Sequence, residues 1–189
     1  MTALRTAIFM DGAYLDHLAQ GPWAEGTRPL ALDMRRVPKF LNGGLNPKRV
    51  FYYHALPWVS EPPLPAEHHL RAQKEKFLAF LAADKRWVLR EGRVERRGGH
   101  RPGDWIFEQK RTDVQMAVDL TRLAWRGEID RAILVSGDSD LIPAVEDART
   151  AGIRVTLACH AGSIHRDLMT ACNETFLLLD TEMRQLVRR

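Results

Sequence analysis

Four aspartates carry the chemistry this sequence can do. Asp11 ends the apolar run of residues 6–10. Asp138 and Asp140 follow the apolar run of residues 131–135, within Ser136-Gly137-Asp138-Ser139-Asp140. Asp113 stands in the first turn of the clearest helical stretch, residues 112–125. Carboxylates brought together repel one another, and without a counter-charge some would take up protons. A divalent cation removes the repulsion. Mg2+ and Mn2+ favour oxygen donors, and Mg2+ keeps several waters while binding one or two carboxylates and phosphate oxygens. Such a site lowers the pKa of a bound water, orients it for in-line attack on phosphorus and neutralises the leaving oxygen, so no nucleophilic side chain is needed. The expected chemistry is phosphoester hydrolysis, with Asp11, Asp113, Asp138 and Asp140 as catalytic residues and metal ligands.

Each acid also has a plainer role open to it. Asp11 before Gly12 can serve a turn or cap a helix, and Asp140 can cap the helix that follows it. Asp113 suits the positive end of a helix dipole. What favours the chemical reading is the coincidence of two strand ends. Asp119 lies six residues beyond Asp113, about 240° around a helix, and so is expected to be structural or to support the ligands from behind. Ser136, Gly137 and Ser139 are small enough to let substrate approach, and the helix N-terminus beyond them favours phosphate, so Ser136 and Ser139 are expected to touch substrate. Lys110 can contact a phosphate or steady an acid. The seven histidines show no metal-binding spacing.

The elements that must position these groups alternate between strand and helix. Strands are expected at residues 6–10, 49–55, 87–95, 105–109, 131–135, 153–158 and 175–179. Helices are expected at 13–19, 32–41 (interrupted by Pro38), 66–83, 112–125, 141–151, 164–171 and 181–189. Residues 20–29, 57–65 and 96–104 read as loops from their glycine and proline content. Thr112 and Gln115 have capping-box spacing. Val114, Ala117 and Val118 on one side of the 112–125 helix, with Met116, Leu120 and Leu123 on another, predict a helix buried on two sides. The alternation argues an α/β domain with a mainly parallel sheet covered on both faces. In such a sheet, ligands bind beyond the carboxyl ends of the strands, at the switch in strand order.

The chain has 189 residues and a formal net charge of +4. Residues 85–111 alone hold an excess of five positive charges. A basic hairpin over residues 90–101, with Arg93, Arg96, Arg97 and Arg101, is expected to contact a phosphate backbone, with Trp87 or Trp105 stacking on a base. Cys159 and Cys172 show neither Cys-x-x-Cys nor zinc spacing and read as thiols in a reducing compartment. No apolar run nears the roughly 18 residues needed to span a bilayer. A cytoplasmic location and no membrane partner are the expectation.

The blocks Phe9-Met10-Asp11-Gly12, Lys110-Arg111-Thr112-Asp113-Val114-Gln115 with Ala117-Val118-Asp119-Leu120, and Ile133-Leu134-Val135-Ser136-Gly137-Asp138-Ser139-Asp140-Leu141 together resemble the NYN domain family, including its LabA-like branch. The similarity continues through Ala151-Gly152-Ile153-Arg154-Val155 to Phe176-Leu177. The resemblance implies a PIN-like fold and metal-dependent ribonuclease chemistry. It maps the family's acidic site onto Asp11, Asp113, Asp138 and Asp140. Two departures stand out. Many relatives carry asparagine shortly after the first Asp-Gly, where this chain has Ala13-Tyr14, and many carry aspartate near the position of Asn173.

The combined expectation is one α/β domain over residues 1–189. It is a PIN-like three-layer sandwich with a mainly parallel central sheet and a basic β-hairpin insertion. It would use Mg2+ or Mn2+ to cut RNA, and a homo-oligomer stays open. The competing readings are a non-catalytic RNA-binding or regulatory module and a metal-dependent DNA nuclease or phosphatase.

Overall fold

The structure is a computed structural model that describes residues 4–19, 32–98, 105–160, 162 and 165–187. Its centre is a six-stranded parallel sheet built from β1 (Thr6–Asp11), β2 (Arg49–His54), β3 (Trp87–Glu91), β6 (Arg131–Val135), β7 (Arg154–His160) and β8 (Glu174–Leu178), in the order β3-β2-β1-β6-β7-β8. Chain order runs outward in both directions from the β1–β6 pair, which makes that pair the switch point of the sheet. Ala7, Ile8, Phe9 and Met10 are wholly buried, as are Ala132 to Val135. Strands covered on both faces need apolar residues at every position, and these runs supply them. Phe9 stacks on Phe51 of β2 at 5.1 Å between ring centres. Each such fully buried ring contributes about 1.5–3 kcal/mol of hydrophobic stabilisation.

Side chains on β2 alternate between the two helical layers. Tyr52 faces α3 (Pro65–Ala82), whose Lys74 donates to its hydroxyl at 3.2 Å. Tyr53 faces α4 (Thr112–Trp125) and donates to Asp119 at 3.1 Å. Beside α4 runs α5 (Ile142–Thr150), tied to it where Trp125 donates to Asp147 at 2.8 Å. The remaining helices are α1 (Gly12–Leu18), α2 (Val37–Leu41), α6 (Arg166–Ala171) and α7 (Asp180–Gln185). Helices thus cover both faces of the sheet, and the expected three-layer α/β arrangement is present. At the amino-terminal edge, Arg5 holds Asp130 at 2.5 Å and also donates to the Gly127 carbonyl. That pairing keeps the Asp130 carboxyl down at about 2 and helps to align β1 with β6.

The sequence reading differs from the structure in several places. The single strand expected at residues 87–95 is two. β3 stays in the main sheet, and after Gly92 the chain turns into β4 (Arg93–Gly98), which pairs antiparallel with β5 (Trp105–Lys110). Gly92 makes the transfer because a Cβ there would stand 2.5 Å from the Lys110 carbonyl oxygen and 2.9 Å from the Thr112 methyl. The hairpin tip, with Arg101, lies outside the described residues, as do the expected loop at residues 20–29 and the last residues of the expected terminal helix. α4 is buried on one side only. Met116 and Leu120 are wholly buried, but Val114 is 68% exposed and Val118 43%. The capping box at Thr112 and Gln115 is not formed: Thr112 is already helical, and the Gln115 amide donates to the Glu91 carbonyl of β3 instead. Among the described residues, no helix is long and apolar enough to cross a membrane.

Gly92→Ala is therefore expected to cost about 1–3 kcal/mol, the usual range for overpacking. Gly98→Ala has open space around its Cβ and is expected to be neutral or slightly stabilising. Urea denaturation of the two variants checks this, and equal midpoints would remove the role assigned to Gly92.

Candidate metal centre

The site is built at the carboxyl edge of the switch point. Met10 pairs with Val135, so Asp11 and the Ser136–Asp140 loop leave the sheet side by side. Asp11 caps α1, accepting from the amides of Ala13 (2.9 Å) and Tyr14 (3.2 Å). The chain can turn so tightly here only because residue 12 is glycine. A Cβ at Gly12 would sit 2.6 Å from the Tyr53 carbonyl oxygen and 2.9 Å from the Tyr52 hydroxyl. On the neighbouring strand, Asp138 opens a 3₁₀ turn (Ser139–Leu141) and accepts from the Asp140 amide at 2.8 Å. Its own amide donates to the Ser136 hydroxyl at 3.2 Å.

Asp113 arrives from a different direction. β5 ends at Lys110, and Arg111 reverses the chain into α4 with φ at +79°. A left-handed conformation in a residue with a Cβ costs about 1–2 kcal/mol, and such strain clusters at functional sites. α4 is held by the buried Asp119. Arg90 of β3 grips that carboxylate with two nitrogens, at 2.7 and 3.1 Å, and the Tyr53 hydroxyl adds a third bond. Asp119 is thus a structural anchor that sets how α4 lies on the sheet, and with it where Asp113 stands.

The four acids feel one another. Burial pushes Asp11 up to about 6, and the negative charges of Asp113 and Asp138 push in the same direction, against the amides of Tyr14 and Ala13. Asp113 is raised first by burial and then by Asp138 and Asp140. Asp138 is half-buried and Asp140 exposed. Among the described residues, however, no three His, Cys, Asp or Glu side chains are drawn close enough to enclose an ion by themselves. The donor set is all carboxylate and open to solvent at Asp140. That fits an ion which keeps its waters and is reached by one or two carboxylates, as Mg2+ is, and does not fit a closed cage.

The other expected contact residues sort differently. Ser136 is wholly buried, and its hydroxyl is engaged by the loop, so it shapes the turn that presents Asp138. Ser139 stays half-exposed at the site. The Lys110 ammonium is paired with Glu108 at 2.7 Å. Arg93 pairs with Glu95, and Arg97 lies 3.7 Å from Glu95 and 3.5 Å from Glu108. Arg96 is stacked on rings and Arg101 is outside the described residues. Trp87 packs against Tyr52, whereas Trp105 remains at the surface.

The two departures from the family pattern come out unequally. Tyr14 reaches across to β7, where its hydroxyl accepts from the His160 amide at 3.0 Å, so it braces this same edge. Asn173 exchanges bonds with the backbone of Val155, at the amino-terminal end of β7 and away from the acids. Asn173, where many relatives are expected to carry aspartate, thus stands apart from the acid site. The sequence reading missed Tyr52, whose ring hydroxyl feels the Asp11 charge, and Lys74, which donates to that hydroxyl and lies 3.1 Å from Asp16. No pattern local to either residue signals that role.

A family model described as the NYN domain matches residues 5–180. No curated protein matches significantly. Among solved structures, one described as a protein of unknown function from Vibrio parahaemolyticus superposes with a TM-score of 0.61 at 16% identity, covering 95% of this chain and 98% of that one. At that identity the likeness concerns the fold alone.

A pH dependence follows for the metal-free protein. The Asp11 carboxyl titrates near 6 in the folded state and near the ordinary value of about 3.9 when unfolded. Between those values the folded state holds the extra proton, so stability is full below pH 4 and falls as pH rises through 6, by about 2–3 kcal/mol at most. Asp11→Asn keeps a cap for α1 and removes this charge. In chelator at pH 7 it is expected to be more stable than the parent by about 1–3 kcal/mol, with the gain vanishing near pH 4. A variant no more stable than the parent at pH 7 would show that burial and like charge do not destabilise ionised Asp11.

Proposed function

The chain belongs to the NYN domain family, whose members are generally nuclease-like, and from that premise we propose that it is a Mg2+- or Mn2+-dependent endoribonuclease. The observation that carries the proposal is the mutual effect of the acids. Asp11 and Asp113, from separate elements, are both raised in pKa, first by burial and further by the negative charge of a shared neighbour, Asp138. Carboxylates held near one another at a switch point are relieved by a cation or by taking up protons, and a cation is the relief that leaves all of them ionised.

Asp11, Asp113, Asp138 and Asp140 would hold the ion, in part through water. When bound, the ion supplies the charge that activates water and offsets the anionic phosphate. The rest falls to the chain. Gly12 lets the backbone close tightly beneath Asp11. Ser136 fixes the turn that aims Asp138. Arg111 and the Asp119–Arg90–Tyr53 anchor set Asp113 against both. Ser139, half-exposed beside Asp138, is placed to donate to a phosphate oxygen.

The test is cleavage of a mixed RNA pool by the purified chain with Mg2+ or Mn2+. Asp138→Asn is expected to reduce cleavage by roughly 100-fold or more, the upper end of what supporting residues of metal sites cost, without loss of folding. Mn2+ at about 100 times its dissociation constant should also stabilise the parent by about 2.7 kcal/mol, and the variant by clearly less. Full cleavage by Asp138→Asn would reject the assignment. Salt-sensitive RNA binding without turnover under any divalent ion would favour the non-catalytic module. Preference for DNA or a small phosphoester over RNA would move the activity to another substrate.

A further inference from the structure

The two faces of the β4–β5 hairpin differ in kind. Arg96 is opposite Phe107 and Gly98 opposite Trp105, and side chains alternate along each strand. One face therefore carries Arg96, Trp105 and Phe107, and the other carries Arg93, Glu95, Arg97, Glu108 and Lys110. On the charged face the groups close on one another, as described above, so few cations are left over for phosphate.

The aromatic face is organised as a stack. The Arg96 guanidinium lies between two indoles, 4.4 Å from the ring centre of Trp58 and 4.0 Å from that of Trp105. Phe107 leans against Trp58 at 5.7 Å. Trp105 and Phe107 nevertheless remain 50% and 52% exposed. An indole has two faces and Arg96 covers one. Of the two indoles, Trp58 is the more covered and Trp105 the more exposed.

We propose that the outer face of Trp105, backed by Arg96 and Trp58, is a stacking platform for an unpaired base of single-stranded RNA on its way to the acid edge. This rests on the RNA reading above and deepens it. A duplex hides its base faces and offers mainly phosphates, whereas the cations on the charged face of the hairpin are, among the described residues, paired with Glu95 and Glu108. A single strand offers ring faces, and a stack of ring and guanidinium already in place extends by one more layer with little ordering cost. β5 runs from Trp105 to Lys110, about 17 Å of extended chain, and three residues later reaches Asp113. The platform and the acids are thus two ends of one continuous segment.

Binding is measured by fluorescence anisotropy in the Asp138→Asn background, with a labelled oligo-A of about 12 nucleotides, a size within single-strand site lengths. Trp105→Ala is expected to weaken it about ten-fold or more, the effect of losing one base stack. Arg93→Gln with Arg97→Gln should matter less. The preference for oligo-A over oligo-U, which stacking strength sets, should shrink in Trp105→Ala. If the alanine variant loses stability, Trp105→Phe against Trp105→Leu decides, since only the ring can stack. Oligo-A binding that is unchanged in Trp105→Ala, equal in the phenylalanine and leucine variants, or no tighter than binding of the same sequence as a duplex overturns the platform. The two proposals fail separately. RNA cleavage by the parent that ignores Trp105→Ala overturns the platform and leaves the nuclease. Trp105-dependent binding without cleavage under any divalent ion supports the platform and overturns the nuclease.

Discussion

Parallel pairing of β1 with β6 is the constraint on which the rest of this molecule depends. The pair sits where strand order reverses, so no crossover connection covers its carboxyl edge. Register matters as much as adjacency. With Met10 opposite Val135, Asp11 and the Ser136–Asp140 loop emerge level with each other. In a strand the side-chain period is two, so a slip of one residue would move every side chain of β1 to the opposite helical layer and turn Asp11 away from Asp113. Complete burial of residues 7–10 makes such a slip very costly, and the Arg5–Asp130 pair at the opposite end favours the same register. A hydrophobic requirement thereby places a group of charges.

Those charges oppose folding locally. A carboxylate raised to about 6 is ionised at neutral pH at the expense of the folded state. The surroundings offset this without neutralising it: two amides bind Asp11, and one amide binds Asp138. Asp119 shows the alternative arrangement. It is more deeply buried than Asp138, yet Arg90 and Tyr53 satisfy both of its oxygens. The contrast separates the acids by role. One carboxylate of α4 is fully partnered and holds the helix in place, and another on the same helix is left facing like charges.

Much of this was legible in the residues. Strands buried on both faces read as unbroken apolar runs, so the two central strands and the acids that end them could be located directly. The 240° separation on a helix already set Asp119 apart from Asp113. What could not be read depended on partners distant in the chain. Gln115 has the right spacing for a capping box, but the Glu91 carbonyl is within reach of its amide only after β3 and α4 pack. Val114 and Val118 repeat with helical period, and nothing local tells that the sheet meets only the Met116–Leu120 side. Asn173 aligns near a functional position in relatives, yet its bonds to Val155 put it at the far edge of the sheet.

The hairpin shows why a count of charges misleads. Residues 85–111 carry a clear positive excess, and summed along the chain that excess suggests a phosphate-binding surface. Folding redistributes it in space. Strand alternation sends Arg93, Glu95 and Arg97 to one face and Arg96 to the other, and on the charged face Glu108 meets Arg97 across the strands and Lys110 along its own strand. Exposed pairs of this kind contribute little to stability, but they occupy the groups that would otherwise meet a ligand. Among the described residues, Arg96 is held by the ring faces of Trp58 and Trp105, with the Glu67 carboxylate near enough to feel its charge. The feature left open to solvent is therefore an aromatic surface held rigid by a cation, joined through the strained Arg111 to the helix that presents Asp113. The exposed ring and the acid thus sit at opposite ends of one stretch of chain, β5 and the start of α4.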